Sequence, residues 1–248
     1  MSKPSVYLIC LFGLIAVCLS KVINDINSSN SSEEDSNEAD EMLSGFRSKC
    51  QKKLGSNETF GNILTESELL PNCMLGLIDL MGLEREIENL TAEIETRKAF
   101  FRKYCPQVQK SMKCLEPVTK EVRKCMDRDD AELFDVVTRA IPEALNLICK
   151  NDGALLFSDD GFTECKDNII IYLGECANLI QNTTAALDIA TYDRKLCEDL
   201  AAARSCFSDK LDSCRGSSWM QIFDLFYGPV VKTSPCKKFI KLEQTNLV

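Results

Sequence analysis

The chain has no histidine in 248 residues, only one tryptophan, and no C-x2-C pair among its cysteines. Without histidine, the Ser-His-Asp and Cys-His arrangements of nucleophilic catalysis are excluded, together with most catalytic zinc sites. Without close cysteine pairs, a structural zinc finger is excluded as well. Glycine is sparse at 11 residues, and no glycine-rich phosphate cradle can be found. Counting back five places from Gly153 and Gly161 reaches Ile148 and Leu156 rather than the acids that an EF-hand calcium loop requires. Basic charge is also in deficit: 29 Lys and Arg face 38 Asp and Glu, for a net charge of −9, which is no footprint for nucleic acid. These absences predict no cofactor and no metal.

What is present points to export. Residues 1–20, MSKPSVYLICLFGLIAVCLS, place Lys3 before an uncharged apolar run from Val6 to Leu19 and end on the small Ser20. That is the layout of a secretory signal peptide, and the run is shorter than the roughly 20 residues a membrane span needs. No later stretch is long and apolar enough to span, and the C-terminus, KKFIKLEQTNLV, has no lipid-anchor pattern. Twelve cysteines follow the signal peptide: Cys50, Cys73, Cys105, Cys114, Cys125, Cys149, Cys165, Cys176, Cys197, Cys206, Cys214 and Cys236. An even set in an exported chain predicts six disulfides, with the connectivity left open.

Residues 21–44 form a Ser-, Asn- and acid-rich tail, with one basic and seven acidic residues between Lys21 and Glu41. So little apolar surface cannot offset ordering entropy, and the tail is expected to be disordered. From residue 45 to 236 the hydrophobic period is helical. Val108, Met112, Leu115, Val118, Val122 and Met126 form one stripe, with Cys114 and Cys125 at its edge. Cys105 falls on the other side of that wheel, and the following Pro106 suits a first helical turn, so Cys105 is expected at a helix entry. A second stripe, Leu133 to Ile148, is interrupted by Pro142, which should kink or break it. A third runs from Cys165 to Ile180. Residues 237–248 read as a C-terminal tail. The fold class is all-α, a disulfide-rich helical bundle.

The cysteines also suggest a repeat. The last four in residues 45–150 are spaced by 9, 11 and 24 positions, and the last four in residues 160–236 by 9, 8 and 22. Each quartet is preceded by two further cysteines, so an internally duplicated six-cysteine helical unit is expected.

Candidate sites are few. Asn27, Asn30, Asn57, Asn89 and Asn182 head N-x-S/T triplets, which in an exported chain predict glycosylation; Asn89 is expected on the polar face of a helix. Paired-carboxylate hydrolysis would have to draw on Glu84, Glu86, Glu88, Glu93 and Glu95, or on Asp127, Asp129 and Asp130. The first group reads as a solvated helix face and the second as acids at the favourable end of a helix dipole. Trp219, Phe223, Phe226 and Tyr227 could line a cavity for a small hydrophobic ligand, although their spacing equally suits ordinary core.

Several motifs carry a family likeness: F-x-K-Y-C at Phe101 to Cys105, C-x8-C-x10-C, L-x-x-I-C-x-x-D-G at Leu145 to Gly153, Glu164-Cys165, C-x-D-L at Cys197 to Leu200, and Cys236. Over about residues 45 to 236 the chain resembles the insect 27 kDa hemolymph glycoprotein family. The resemblance implies an extracellular, helical, circulating glycoprotein and transfers no catalytic residue. A weaker likeness is to insect odorant-binding proteins, whose C-x3-C pair is absent here, and a third is to saposin-like proteins, whose C-x2-C opening is also absent. The expectation is a secreted protein that acts by binding a protein partner or a small hydrophobic ligand, with no nucleic acid, no membrane span and no enzymatic activity.

Overall fold

The computed structural model describes residues 33–158, 162–180 and 192–241. Among the described residues every regular element is a helix and there is no strand, as the periodicity predicts. They divide into two compact units, Met1–Asn89 with Arg102–Ala131, and Leu90–Phe101 with Glu132–Val248.

In the first unit, α1 (Glu33–Leu54) and α2 (Glu58–Leu75) are joined by a short turn at Gly55 and pack on each other. The helix α3 (Leu80–Glu88) follows, then α4 (Ile94–Ser111), which belongs to this unit from Arg102 on and to the second unit before it, a 3-10 turn at Met112–Cys114, and α5 (Leu115–Lys124). The face of α2 formed by Phe60, Ile63, Ser67 and Leu70 is buried, and so is the Leu115, Val118 and Val122 stripe of α5, the helix that α2 packs against most. Two disulfides fasten this arrangement. Cys73 near the end of α2 bonds Cys114 at the start of α5, and Cys50 near the end of α1 bonds Cys125 at the end of α5. These links set α2 antiparallel to α5. The Cys114 and Cys125 edge therefore faces neighbouring helices, as the wheel implied.

In the second unit, α6 (Arg128–Cys149) runs to a turn at Asn151-Asp152-Gly153 and a 3-10 turn at Ala154–Phe157. Then come α7 (Phe162–Ala177), α8 (Arg194–Ser213), a 3-10 turn at Ser217–Trp219, α9 (Met220–Thr233) and a last 3-10 turn at Pro235–Lys238. Asp193 caps α8 by accepting a hydrogen bond from the Leu196 N–H at 2.8 Å, which satisfies one of the donors a helix start leaves open. Cys165–Cys214 and Cys176–Cys206 fasten α7 antiparallel to α8, and Cys197–Cys236 ties the start of α8 to the turn after α9. Around that last bond Tyr192, Leu196, Tyr227 and Val231 form a core cluster.

All three residues of the Asn151-Asp152-Gly153 turn have positive φ, at 53°, 55° and 76°. Only glycine adopts this without strain, and at Gly153 a second demand is added. A Cβ there would lie 2.2 Å from the ring of Phe101, which packs directly over the turn.

Numbered within each half, the cysteines repeat one order. First joins fifth and second joins fourth in residues 45–150 (Cys50–Cys125, Cys73–Cys114) and again in residues 160–236 (Cys165–Cys214, Cys176–Cys206). In the second half third joins sixth, and the third and sixth of the first half, Cys105 and Cys149, are disulfide-bonded too. Six cysteines allow about 15 pairings, so the recurrence of one order is what a duplicated unit produces.

Four sequence expectations need correction. Cys105 lies inside α4, not at its entry, and Pro106 is within the same helix. Likewise α6 runs through Pro142 without ending. The physical reason is burial on both sides of each proline: Phe100, Phe101, Tyr104 and Val108 in α4, and Ala140, Ile141, Ala144, Leu145 and Ile148 in α6, are all nearly sealed from solvent. Several such side chains at about 1.5–3 kcal/mol each outweigh an interior proline at about 3 kcal/mol. The helix α1 starts at Glu33, within the stretch expected to be disordered. Residues 237–240 are folded rather than tail: Ile240 packs on the core cluster and Arg194 sits 5.2 Å over the Phe239 ring. The stretch read as a signal peptide and the remainder of the acidic tail lie outside the described residues.

Candidate functional site

The F-x-K-Y-C motif places two consecutive side chains, Lys103 and Tyr104, against α3. Asp79 caps α3, its carboxylate accepting a hydrogen bond from the Gly82 N–H at 2.9 Å, while its own N–H donates to Gln107 Oε1 at 2.9 Å. Lys103 Nζ stands 2.6 Å from Glu86 Oε1 and 3.4 Å from Asp79 Oδ2, and lies 4.7 Å over the Tyr104 ring. Tyr104 is buried and its hydroxyl comes 2.8 Å from where a Cβ on Gly82 would be, so only glycine admits this approach.

The electrostatics follow from these contacts. The Gly82 N–H, with Lys103 beside it, holds the Asp79 carboxyl below its usual range. The hydrogen bond from Lys103 does the same for Glu86, and Glu86 in turn raises Lys103. Burial pushes the Tyr104 phenol up. Elsewhere the Lys124 hydrogen bond lowers Glu121, and burial raises Tyr227. Each shift leads away from neutrality, whereas general acid–base chemistry needs a group brought toward the working pH. The arrangement can clamp a helix start to α4 but is poorly suited to moving protons.

The carboxylates proposed for hydrolysis are held by three different cations. Glu86 meets Lys103, Glu95 meets Lys98 at 3.1 Å, and the buried Asp130 is ion-paired with Lys49. Glu84, Glu88, Glu93, Asp127 and Asp129 are exposed. Among the described residues no group of three His, Cys, Asp or Glu side chains could hold a metal ion.

The aromatic residues near the C-terminus separate. Trp219 is buried in the 3-10 turn before α9. Phe223 stacks on Tyr227 with ring centroids 6.0 Å apart and meets Phe207 at 5.0 Å, and both Phe223 and Tyr227 belong to the core around Cys197 and Cys236. Phe226 is half-buried. Beside them Arg204 grips Asp224 through two hydrogen bonds of 2.7 Å and stands 5.4 Å over the Tyr227 ring.

Of the five sequons, Asn27, Asn30 and Asn182 lie outside the described residues. Asn57 is exposed at the start of α2 and makes no capping hydrogen bond. Asn89 is exposed too, but at the C-terminal end of α3 rather than on a helix face, with its Nδ2 donating to the Arg85 carbonyl at 2.9 Å.

Sequence reasoning missed Asp79, Gly82 and Gln107 around Lys103, and the Arg204 and Asp224 pair. A signal for Asp224 and for Lys103 existed in the repeat. Leu133-Phe134-Asp135 and Ile222-Phe223-Asp224 each begin eight residues past the fifth cysteine of their half, and Arg-Lys begins three residues before the third at Arg102-Lys103 and Arg194-Lys195. Buried residues Tyr104 and Leu196 then stand in equivalent places.

The comparisons agree with this frame. A 27 kDa glycoprotein of Bombyx mori is 25% identical over 171 residues, which cover 66% of this chain and 74% of that one. No solved structure matches the chain. The family described as "protein of unknown function (DUF1397)" matches residues 36–236, the span that holds every one of the twelve bonded cysteines, and the chain belongs to that family.

Proposed function

We propose that the chain is an exported, N-glycosylated binding protein of the extracellular fluid, two related helical modules braced by disulfides, with no catalytic role. One observation carries the reading: all twelve cysteines from Cys50 to Cys236 are bonded, and the first-to-fifth and second-to-fourth links recur in both halves. Such a set persists only in an oxidising compartment. Support also comes from the exposed Asn57 and Asn89, from the glycoprotein relative, and from ionisable groups that are shifted away from neutrality. Binding is then the work of a rigid surface, because disulfides at about 2–4 kcal/mol each hold the modules without a metal.

The test is native mass spectrometry of the protein secreted by insect cells, after enzymatic removal of N-glycans. The expected result is a chain lacking residues 1–20 and lighter by twelve hydrogens than its reduced form. Free thiols, or retention inside the cell, would overturn the reading. Mass that departs on denaturation would instead identify a carrier of a small hydrophobic ligand, the second reading. The single tryptophan gives that alternative its own assay. Trp219 is 2% exposed, so iodide should barely quench it in the folded protein. A hydrophobic ligand bound behind α9 should change its emission, and unchanged emission across a panel of fatty acids and terpenoids would count against the carrier.

A further inference from the structure

We infer that the Cys73–Cys114 bond is the chain's site of thiol–disulfide exchange, with Cys73 as the sulfur attacked. Of the twelve bonded cysteines Cys73 alone is exposed; the rest are buried or half-buried. Its partner Cys114 is 5% exposed, directly behind it. An incoming thiolate approaches a disulfide sulfur along the line of the S–S bond, from the side away from the leaving sulfur. Of the two residues in this pair only Cys73 is exposed to solvent, so attack is favoured there.

The duplicated half supplies an internal control. The equivalent bond, again second to fourth, is Cys176–Cys206, and there Cys176 is 2% exposed. The second cysteine of the link is therefore sealed in one module and open in the other, while the fourth is half-buried at Cys206 and buried at Cys114. The difference lies in the end of α2. Pro71 sits inside the helix, and Leu69 and Leu75 on either side of Cys73 are 54% and 57% exposed, so among the described residues this turn stands open to solvent. In α7, by contrast, Cys176 lies on the same buried edge as Cys165 and Ile169.

The chemistry balances with an external thiol as the reductant. Its thiolate forms a new S–S bond to Cys73, the Cys73–Cys114 bond breaks, and the electron pair leaves on Cys114, which takes a proton from water. A second thiol attacks the sulfur of the first thiol in the mixed disulfide, which releases Cys73 and closes the two external thiols into a disulfide. The fold should survive, since Phe60, Ile63 and Leu70 still hold α2 to its neighbours and Cys50–Cys125 remains closed. What opens is the last turn of α2, a segment whose own side chains already face solvent.

The experiment uses the secreted full chain, folded and without denaturant, exposed to graded reduced glutathione, quenched with iodoacetamide and mapped by peptide mass. The expected result is glutathione on Cys73 and alkylation of Cys114 on the order of tenfold or more ahead of Cys176 and Cys206, with helical circular dichroism retained. Opening of Cys176–Cys206 at the same rate, or of all bonds in one step, would overturn the inference, and glutathione found on Cys114 would overturn the point of attack. Replacing both residues, Cys73→Ser with Cys114→Ser, should remove the early phase. If that variant is not secreted, the order of labelling in the unaltered chain decides alone.

Discussion

Replacing Gly153 with alanine tests the packing of the D-G motif directly. Two costs combine. The residue sits at φ +76°, where a Cβ costs roughly 1–2 kcal/mol. The added Cβ would also stand 2.2 Å from Cε2 and Cζ of Phe101, where carbon atoms rest at about 3.5–4.0 Å. The ring must therefore retreat by more than about 1 Å, yet it is wedged at 5.2 Å from Phe100 and 6.4 Å from Phe157, ring centroid to centroid. Overpacking of this kind costs about 1–3 kcal/mol. The sum, roughly 2–5 kcal/mol, corresponds to a fall in Tm of roughly 4–20 °C for a domain of this size. Thermal unfolding with the disulfides intact measures it. The companion variant Phe101→Ala removes the clash while leaving the strained φ, so adding Gly153→Ala to it should cost only the backbone part. A coupling of about 1–3 kcal/mol between the two sites is then expected. A Gly153→Ala protein within about 0.5 kcal/mol of the original, or strictly additive variants, would refute the reasoning.

Two further outcomes are expected. Asp79 and Glu86 have folded pKa values below their unfolded ones, so their contribution is complete above the ordinary carboxylate range and is lost as pH falls through the folded values. Lys103 is shifted up, so its share is present below its unfolded value and is lost only as pH rises through the folded one. Lys103→Met should therefore flatten the loss of stability on acidification, read as the urea midpoint from neutral pH down to about 3, and an unchanged acid limb would contradict the clamp. In the second unit, Asp224→Asn keeps the shape but removes the ion pair with Arg204 and one of its two acceptors, and should cost about 1–3 kcal/mol by urea unfolding.

The all-α fold and the disulfide set were legible in the sequence because both are local or compositional. A stripe of side chains three and four apart turns to one face whatever it meets, and twelve cysteines in a chain read as exported have one stable fate. The repeat showed in the spacing for the same reason. Which cysteines pair was a different matter, since pairing depends on the antiparallel setting of α2 against α5 and of α7 against α8, and helix periodicity does not encode direction. The prolines misled because local propensity at Pro106 and Pro142 was outweighed by burial that only the folded neighbours supply. The clamp on Lys103 was hidden because Asp79 and Glu86 are 24 and 17 residues away from it in sequence and meet it only once α3 lies along α4. The exposure of Cys73 could not be read at all. Cys73 and Cys176 are equivalent in the repeat, and only the packing around each decides that one residue is sealed and the other exposed.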